Sequence, residues 1–157
     1  MPHVAALGHV TLHAREPQRL AHFYRDLLDM VIVGRTAPWN LAFLCSDPAA
    51  RPLQDHQLAF SSSPEMAHVA FYVDGLGAIR SFHRALRERG VPAKALLYGI
   101  GVSLIFRDPE ENGVEITWLH DHDSLVPYAE PLDLARHTDQ DILAKIAALP
   151  PSSGTLR

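Results

Sequence analysis

Leu7-Gly8-His9-Val10-Thr11-Leu12 returns 59 residues later as Met66-Ala67-His68-Val69-Ala70-Phe71. At that offset Leu20 falls on Ile79, Phe23 on Phe82, Arg25 on Arg84 and Leu27 on Leu86. The match needs no gap, so the chain contains its own repeat. The far ends agree too: His56 follows His9 by 47 residues, and Glu115 follows His68 by the same 47. His56 is therefore the internal counterpart of Glu115.

Each copy reads in the same order. Residues 7–14 alternate as a strand, with Val10 and Leu12 on one face and His9, Thr11 and His13 on the other. Residues 66–74 do likewise, with Val69, Phe71 and Val73 against His68, Ala70 and Tyr72. A helix follows over 17–30 in the first copy and 76–89 in the second, carrying Leu20, Phe23, Leu27 and Leu28, then Ile79, Phe82 and Leu86, at helical spacing. Gly90 suits the position after the second helix, and Pro92 stops it. Three short strands complete each copy, at 31–35, 41–45 and 57–61, then 93–97, 103–107 and 114–118. Asp108-Pro109-Glu110-Glu111-Asn112-Gly113 is a turn ending in Asn-Gly, so the last two strands form a hairpin.

The expected fold is α+β: two tandem βαβββ modules, over 5–62 and 65–119, in one domain covering 1–120. Their sheets would curl into one open barrel, with the helices outside and a concave cleft within. Period-two alternation then aims His9, His68 and Glu115 into that cleft. Two imidazoles and one carboxylate are the ligand set of a non-haem iron(II) site that keeps coordination positions open. The tail over 121–157 reads differently. Val126-Pro127-Tyr128-Ala129-Glu130-Pro131 is extended, Asp139 or Asp141 would cap a short helix bearing Ile142, Leu143, Ile146 and Leu149, and the chain frays from Pro150.

Composition excludes several classes. The 157 residues are 47% hydrophobic and 20% charged, with a formal net charge of -4 and no long basic run, which argues against nucleic acid and anionic membrane as partners. No apolar run approaches the roughly 20 residues that span a bilayer. Cys45 is the sole cysteine, so no intrachain disulfide forms. Met1-Pro2-His3-Val4 lacks a basic stretch leading into an apolar signal core, and the expected location is the cytoplasm. Of the ten histidines, His3, His22, His83, His120, His122 and His137 fall in tails, loops or helix surfaces and read as solvated.

These residues together resemble the vicinal oxygen chelate superfamily of glyoxalases, bleomycin-resistance proteins and extradiol dioxygenases. Leu7-Gly8-His9-Val10 with Ala21-His22-Phe23-Tyr24-Arg25-Asp26-Leu27-Leu28 is similar to its first strand and helix. His68-Val69-Ala70-Phe71 is similar to the opening of its second module. Phe106-Arg107-Asp108-Pro109-Glu110-Glu111-Asn112-Gly113-Val114-Glu115 resembles its closing motif. Asp55-His56-Gln57-Leu58-Ala59-Phe60 is similar to a segment of the single-domain, type I extradiol dioxygenase-like group, in which the matching histidine lines the active site without binding metal.

The resemblance implies metal ligation by His9, His68 and Glu115, with Fe(II) as the metal and Mn(II) or another divalent ion as the alternative. It implies a catechol-type or other chelating small substrate, cleaved with dioxygen, and a homodimer. His56 would accept and return protons, and Tyr98 would supply a hydroxyl. The chain departs from the pattern at Ile105, where the group has a tyrosine, and at Tyr98, where it often has a histidine. Glu111 and Asp29 stand where glycines are usual. Two other readings of the same residues differ in chemistry. In a glyoxalase- or epimerase-like isomerase or lyase, His56 would be a fourth metal ligand. In a bleomycin-resistance-type protein, the cleft would bind a small molecule without reaction.

Overall fold

Pro64–Met66 forms a 3-10 turn, and it resets the start of the second module. The N–H groups of Met66 and Ala67 bond back to the carbonyls of Ser63 and Pro64, so neither joins the sheet ladder and the strand begins at His68 rather than at 66. The computed structural model describes residues 2–36, 40–49, 55–120 and 129–149. Among them run β1 (Ala6–His13), α1 (Pro17–Leu28), β2 (Val31–Thr36), β3 (Leu41–Cys45), β4 (Leu58–Ser61), β5 (His68–Tyr72), α2 (Leu76–Glu88), β6 (Ala93–Tyr98), β7 (Gly101–Arg107), β8 (Gly113–Leu119), β9 (Ala129–Pro131) and α3 (Asp139–Ala147). The order β-α-β-β-β occurs twice, as the repeat requires, and the class is mixed α+β. No helix among the described residues is long and apolar enough to cross a membrane. Two units divide the chain: Gly8–Val69, and residues 2–7 with 70–149.

In the first unit the strands run in the order β2-β3-β4-β1. β3 is antiparallel to β2 and β4, and β1 is parallel to β4. All five residues of β3 are buried, which is why Leu41-Ala42-Phe43-Leu44-Cys45 reads as an unbroken apolar run. On one face Ala42, Leu44 and Phe60 pack with Ala14 and with Ala21 of α1. On the other, Leu41, Phe43 and Ala59 pack with Val33 and Met66. Pro17 sits at the start of α1, where its fixed φ suits the first turn and its missing N–H is not needed. Asp29, at φ 55, ends the helix in the left-handed region that glycine usually fills. The helix therefore stops two residues short of the expected 30. Its apolar arc is wider than its contact with the sheet, so Phe23, Leu27 and Leu28 stay exposed.

The second unit orders its strands β5-β8-β7-β6-β9. β7 is antiparallel to β6 and β8, and β9 adds antiparallel to β6. The β7–β8 turn is held by Asp108, whose carboxylate accepts the N–H groups of Glu110 and Asn112 and the Asn112 side-chain amide. These bonds hold its carboxyl below the usual carboxylate range. The left-handed residue of this turn is Glu111, φ 64, not the Asn-Gly pair that follows it. Gly90, at φ 69, follows α2 as expected.

The tail packs within this unit. Ile142 and Ile146 of α3, with Leu132 and Leu134, join one buried cluster with Ile79 and Leu86 of α2 and Leu97, Val102, Leu104 and Ile116 of the strands. Arg80 latches it, donating to the Asp139 carboxylate and to the carbonyls of Leu134 and His137 at 2.8, 2.5 and 2.7 Å. The cap of α3 is Thr138, not an aspartate. Its hydroxyl accepts the Asp141 N–H while the Asp141 carboxylate accepts the Thr138 N–H, a capping box. Leu143, expected on the buried face, is exposed. The extended reading of 126–128 and the frayed end from 150 fall outside the described residues.

Candidate metal centre

Three of the five expected site residues meet in the first unit. His9 lies on β1, on the same face as buried Thr11, while His68 opens β5 and His56 lies just before β4. The Nε2 atoms of His9 and His68 are 2.9 Å apart. Nδ1 of His68 is 2.7 Å from the Met66 carbonyl oxygen. A carbonyl only accepts, so His68 carries its proton on Nδ1 and, when neutral, turns a bare lone pair at Nε2 toward His9. His9 then donates from Nε2 when no ion is present. The backbone of the Pro64–Met66 turn thus sets the tautomer that a metal ligand needs.

His56 packs its ring against His9, with centroids 4.3 Å apart and planes tilted by 44°. Phe43 meets His56 from another side at 4.8 Å, near edge-on. His56 is 7% exposed, so this imidazole is held among rings rather than in water. The same face of the unit carries the apolar wall of Leu41, Phe43 and Ala59, with Val33 and Met66 against it.

Glu115 and Tyr98 belong to the second unit. Glu115 on β8 stands opposite Ile105 of β7 and is 8% exposed, a buried carboxylate rather than a solvated face. Tyr98 closes β6, opposite Gly101. Burial pushes the Tyr98 hydroxyl well above its ordinary pKa, and the charge of Glu115 pushes it further. The phenol therefore stays in its neutral form near neutral pH.

One pair on this face went unread in the sequence. Ser103 of β7 and Thr117 of β8 are direct partners, both buried, and the Ser103 hydroxyl donates to Thr117 Oγ1 at 2.8 Å. Thr117 lies two residues past Glu115, so alternation puts the pair on the Glu115 side. That phase was available in the sequence, hidden inside an apolar run.

The aromatic side chains near these strands divide between core and site. Phe106 and Trp118 pack against the core cluster that contains Ile79 and Leu104, whereas Phe43 reaches His56. Trp39 lies outside the described residues. His120 is not fully solvated: its ring meets Trp118 edge-on at 5.4 Å. His83 is half-buried, and burial lowers its pKa, with Arg87 adding to the effect. His122 lies outside the described residues.

The model of the glyoxalase/bleomycin resistance protein/dioxygenase superfamily matches residues 6–116. The chain belongs to this superfamily. Biphenyl-2,3-diol 1,2-dioxygenase 3 of Rhodococcus globerulus is 26% identical over 123 residues, covering 70% of this chain and 61% of the relative. Among solved structures, a variant of homoprotocatechuate 2,3-dioxygenase from Brevibacterium fuscum superposes with a TM-score of 0.62 at 18% identity, over 84% of this chain and 34% of the other. The 2,3-dioxygenase LapB of Pseudomonas sp. KL28 gives 0.62 at 19%, over 85% and 48%. A Mn(II)-bound glyoxalase from Novosphingobium aromaticivorans gives 0.58 at 19%, over 86% and 42%. At these identities the structures show the fold alone, and it is the vicinal oxygen chelate fold of extradiol dioxygenases. The chain spans less than two thirds of the length of each of these relatives.

Proposed function

We propose that His9, His68 and Glu115 hold one divalent metal ion and that the protein is an extradiol dioxygenase-like enzyme acting on a catechol-type diol. The observation that carries this reading is the His9–His68 pair. Two nitrogens each about 2.1 Å from one ion are about 3.0 Å apart at a right angle and about 3.4 Å apart at the tetrahedral angle. The 2.9 Å separation is short enough for both nitrogens to reach one divalent ion. The fixed tautomer of His68 and the burial of Glu115 also suit a ligand set of two neutral imidazoles and one carboxylate. When bound, the metal would acidify a chelated hydroxyl and bring dioxygen beside it.

The remaining roles fall to the chain's own groups. His56, packed on His9 and shielded by Phe43, accepts a proton from the substrate and returns it. Tyr98, neutral and buried, donates a hydrogen bond, the part that the residue at Ile105 takes in related enzymes. The apolar wall of Leu41, Phe43 and Ala59 favours an aromatic ring and keeps water out. The close approach of His56 to His9 also favours a second reading, in which His56 is a fourth ligand in a glyoxalase-like isomerase or lyase. Protein reconstituted with Fe(II) without air, then given a panel of catechols and oxygen, separates these. Oxygen uptake with a yellow ring-opened product supports the dioxygenase, and neither signal across the panel rejects it.

A further inference from the structure

Ser103 and Thr117 are a buried polar pair that the proposed reaction leaves unused. They are 0% and 4% exposed, and their chain neighbours Val102, Leu104 and Ile116 belong to the core. One hydrogen bond joins them, from the Ser103 hydroxyl to Thr117 Oγ1. Two apolar residues of the same shape would fill this place about as well, because a buried hydroxyl gives up water for every bond that it makes. Stability alone therefore does not account for the pair. β3 and β4, the matching strands of the first unit, carry Phe43 opposite Ala59 on the face where Phe43 meets His56. That pair is apolar, and neither strand holds a carboxylate. The hydroxyls stand on the strand pair that does, with Glu115 two residues before Thr117 on β8.

The protons of the pair set its direction. Two hydroxyls bring two protons, and their mutual bond uses one. The Ser103 proton is spent on Thr117, so the Thr117 proton is left for another acceptor. Direct cross-strand partners share a face, so Gly101, Ile105, Leu119 and Glu115 surround the pair on β7 and β8. Of these four, only Glu115 has a side chain that accepts. Residues two apart on a strand are about 6–7 Å apart, a gap that the two methylenes of a glutamate span. The Glu115 carboxylate is buried, and its two oxygens offer about four lone pairs, so a metal and a hydroxyl can share it. We propose that Ser103 and Thr117 are positioning residues for Glu115: Ser103 donates to Thr117, and Thr117 donates to the carboxylate oxygen that does not hold the metal. This role rests on the metal centre proposed above. Outer hydrogen bonds of this kind fix a ligand's orientation and are worth about 10- to 100-fold in metal affinity.

Anaerobic equilibrium dialysis of the full chain against Fe(II) tests this. Thr117→Val keeps the shape and removes the hydroxyl, and it should weaken Fe(II) binding by about 10- to 100-fold. Thr117→Ser keeps the hydroxyl and should bind as the wild type does. The double variant, Ser103→Ala with Thr117→Val, separates positioning from stability. It removes the Ser103 hydroxyl that Thr117→Val would strand, so it should melt at or above the temperature of that single variant while its Fe(II) affinity stays low. Affinity that recovers along with stability, or Thr117→Val binding as tightly as the wild type, overturns the proposal and leaves the metal centre standing. A wild type that binds no Fe(II) overturns both.

Discussion

Gly101→Ala should loosen the second unit where Tyr98 is placed. A Cβ at Gly101 would lie 1.9 Å from the Trp118 carbonyl oxygen and 3.0 Å from Leu119 Cα, at a φ of +158. Both neighbours are backbone, so no side chain can swing away. β7 must separate from β8 by more than an ångström at its first residue, which pulls apart the Gly101–Leu119 register and the 2.7 Å bond from the His120 N–H to the Ile100 carbonyl. Overpacking of this kind costs about 1–3 kcal/mol and a lost hydrogen bond about 1 kcal/mol more. A total of about 2–4 kcal/mol corresponds to a fall in Tm of about 5–15 °C for a chain of this size. Because Tyr98 is the cross-strand partner of Gly101, the shift also carries its hydroxyl away from its buried position. The assay is thermal unfolding followed by circular dichroism. Gly77→Ala serves as control: it lies within α2 with nothing within 4 Å of its Cβ and should gain up to about 1 kcal/mol of helix propensity. A Gly101→Ala protein melting within 1 °C of the wild type would refute the argument.

Three further outcomes follow from the same geometry. Arg80→Ala removes three hydrogen bonds to the tail and should lower stability by about 2 kcal/mol, with limited proteolysis cutting first between 132 and 149; an unchanged cleavage pattern would contradict the latch. The phenol of Tyr98, raised in the folded state above its unfolded value, contributes stability that is full below about pH 10 and is lost as pH climbs beyond it. Ultraviolet titration should show one of the four tyrosines ionising late, absent in Tyr98→Phe. His56→Ala should leave metal bound at wild-type stoichiometry while slowing turnover by about 100-fold or more; loss of the metal would instead support the four-ligand reading.

Most of the fold could be read from the sequence because the repeat doubled every signal. The helix expected over 17–30 and the one expected over 76–89, before Gly90, support each other, and the Asp108–Gly113 turn fixes the last hairpin. The errors have local causes. Asp139 and Asp141 both suit a first turn, so the cap at Thr138 was passed over. Amphipathic spacing names the apolar arc of α1 but not how much of it the sheet covers, so the exposure of Phe23 and Leu27 has no signature in the spacing. At the site, alternation and spacing singled out His9, His56, His68 and Glu115. The fixing of His68 by the Met66 carbonyl has no side-chain signature, and the Ser103–Thr117 pair sits inside a stretch that reads as apolar.

The central claim is that His9, His68 and Glu115 form one metal centre. Anaerobic titration of the full chain with Fe(II), read by metal analysis after gel filtration, tests it most directly. The account predicts one ion per chain in the wild type and none retained in His9→Ala, His68→Ala or Glu115→Ala, each still folded by circular dichroism. A wild type that retains no ion, or ligand variants that retain it at full stoichiometry, would contradict it.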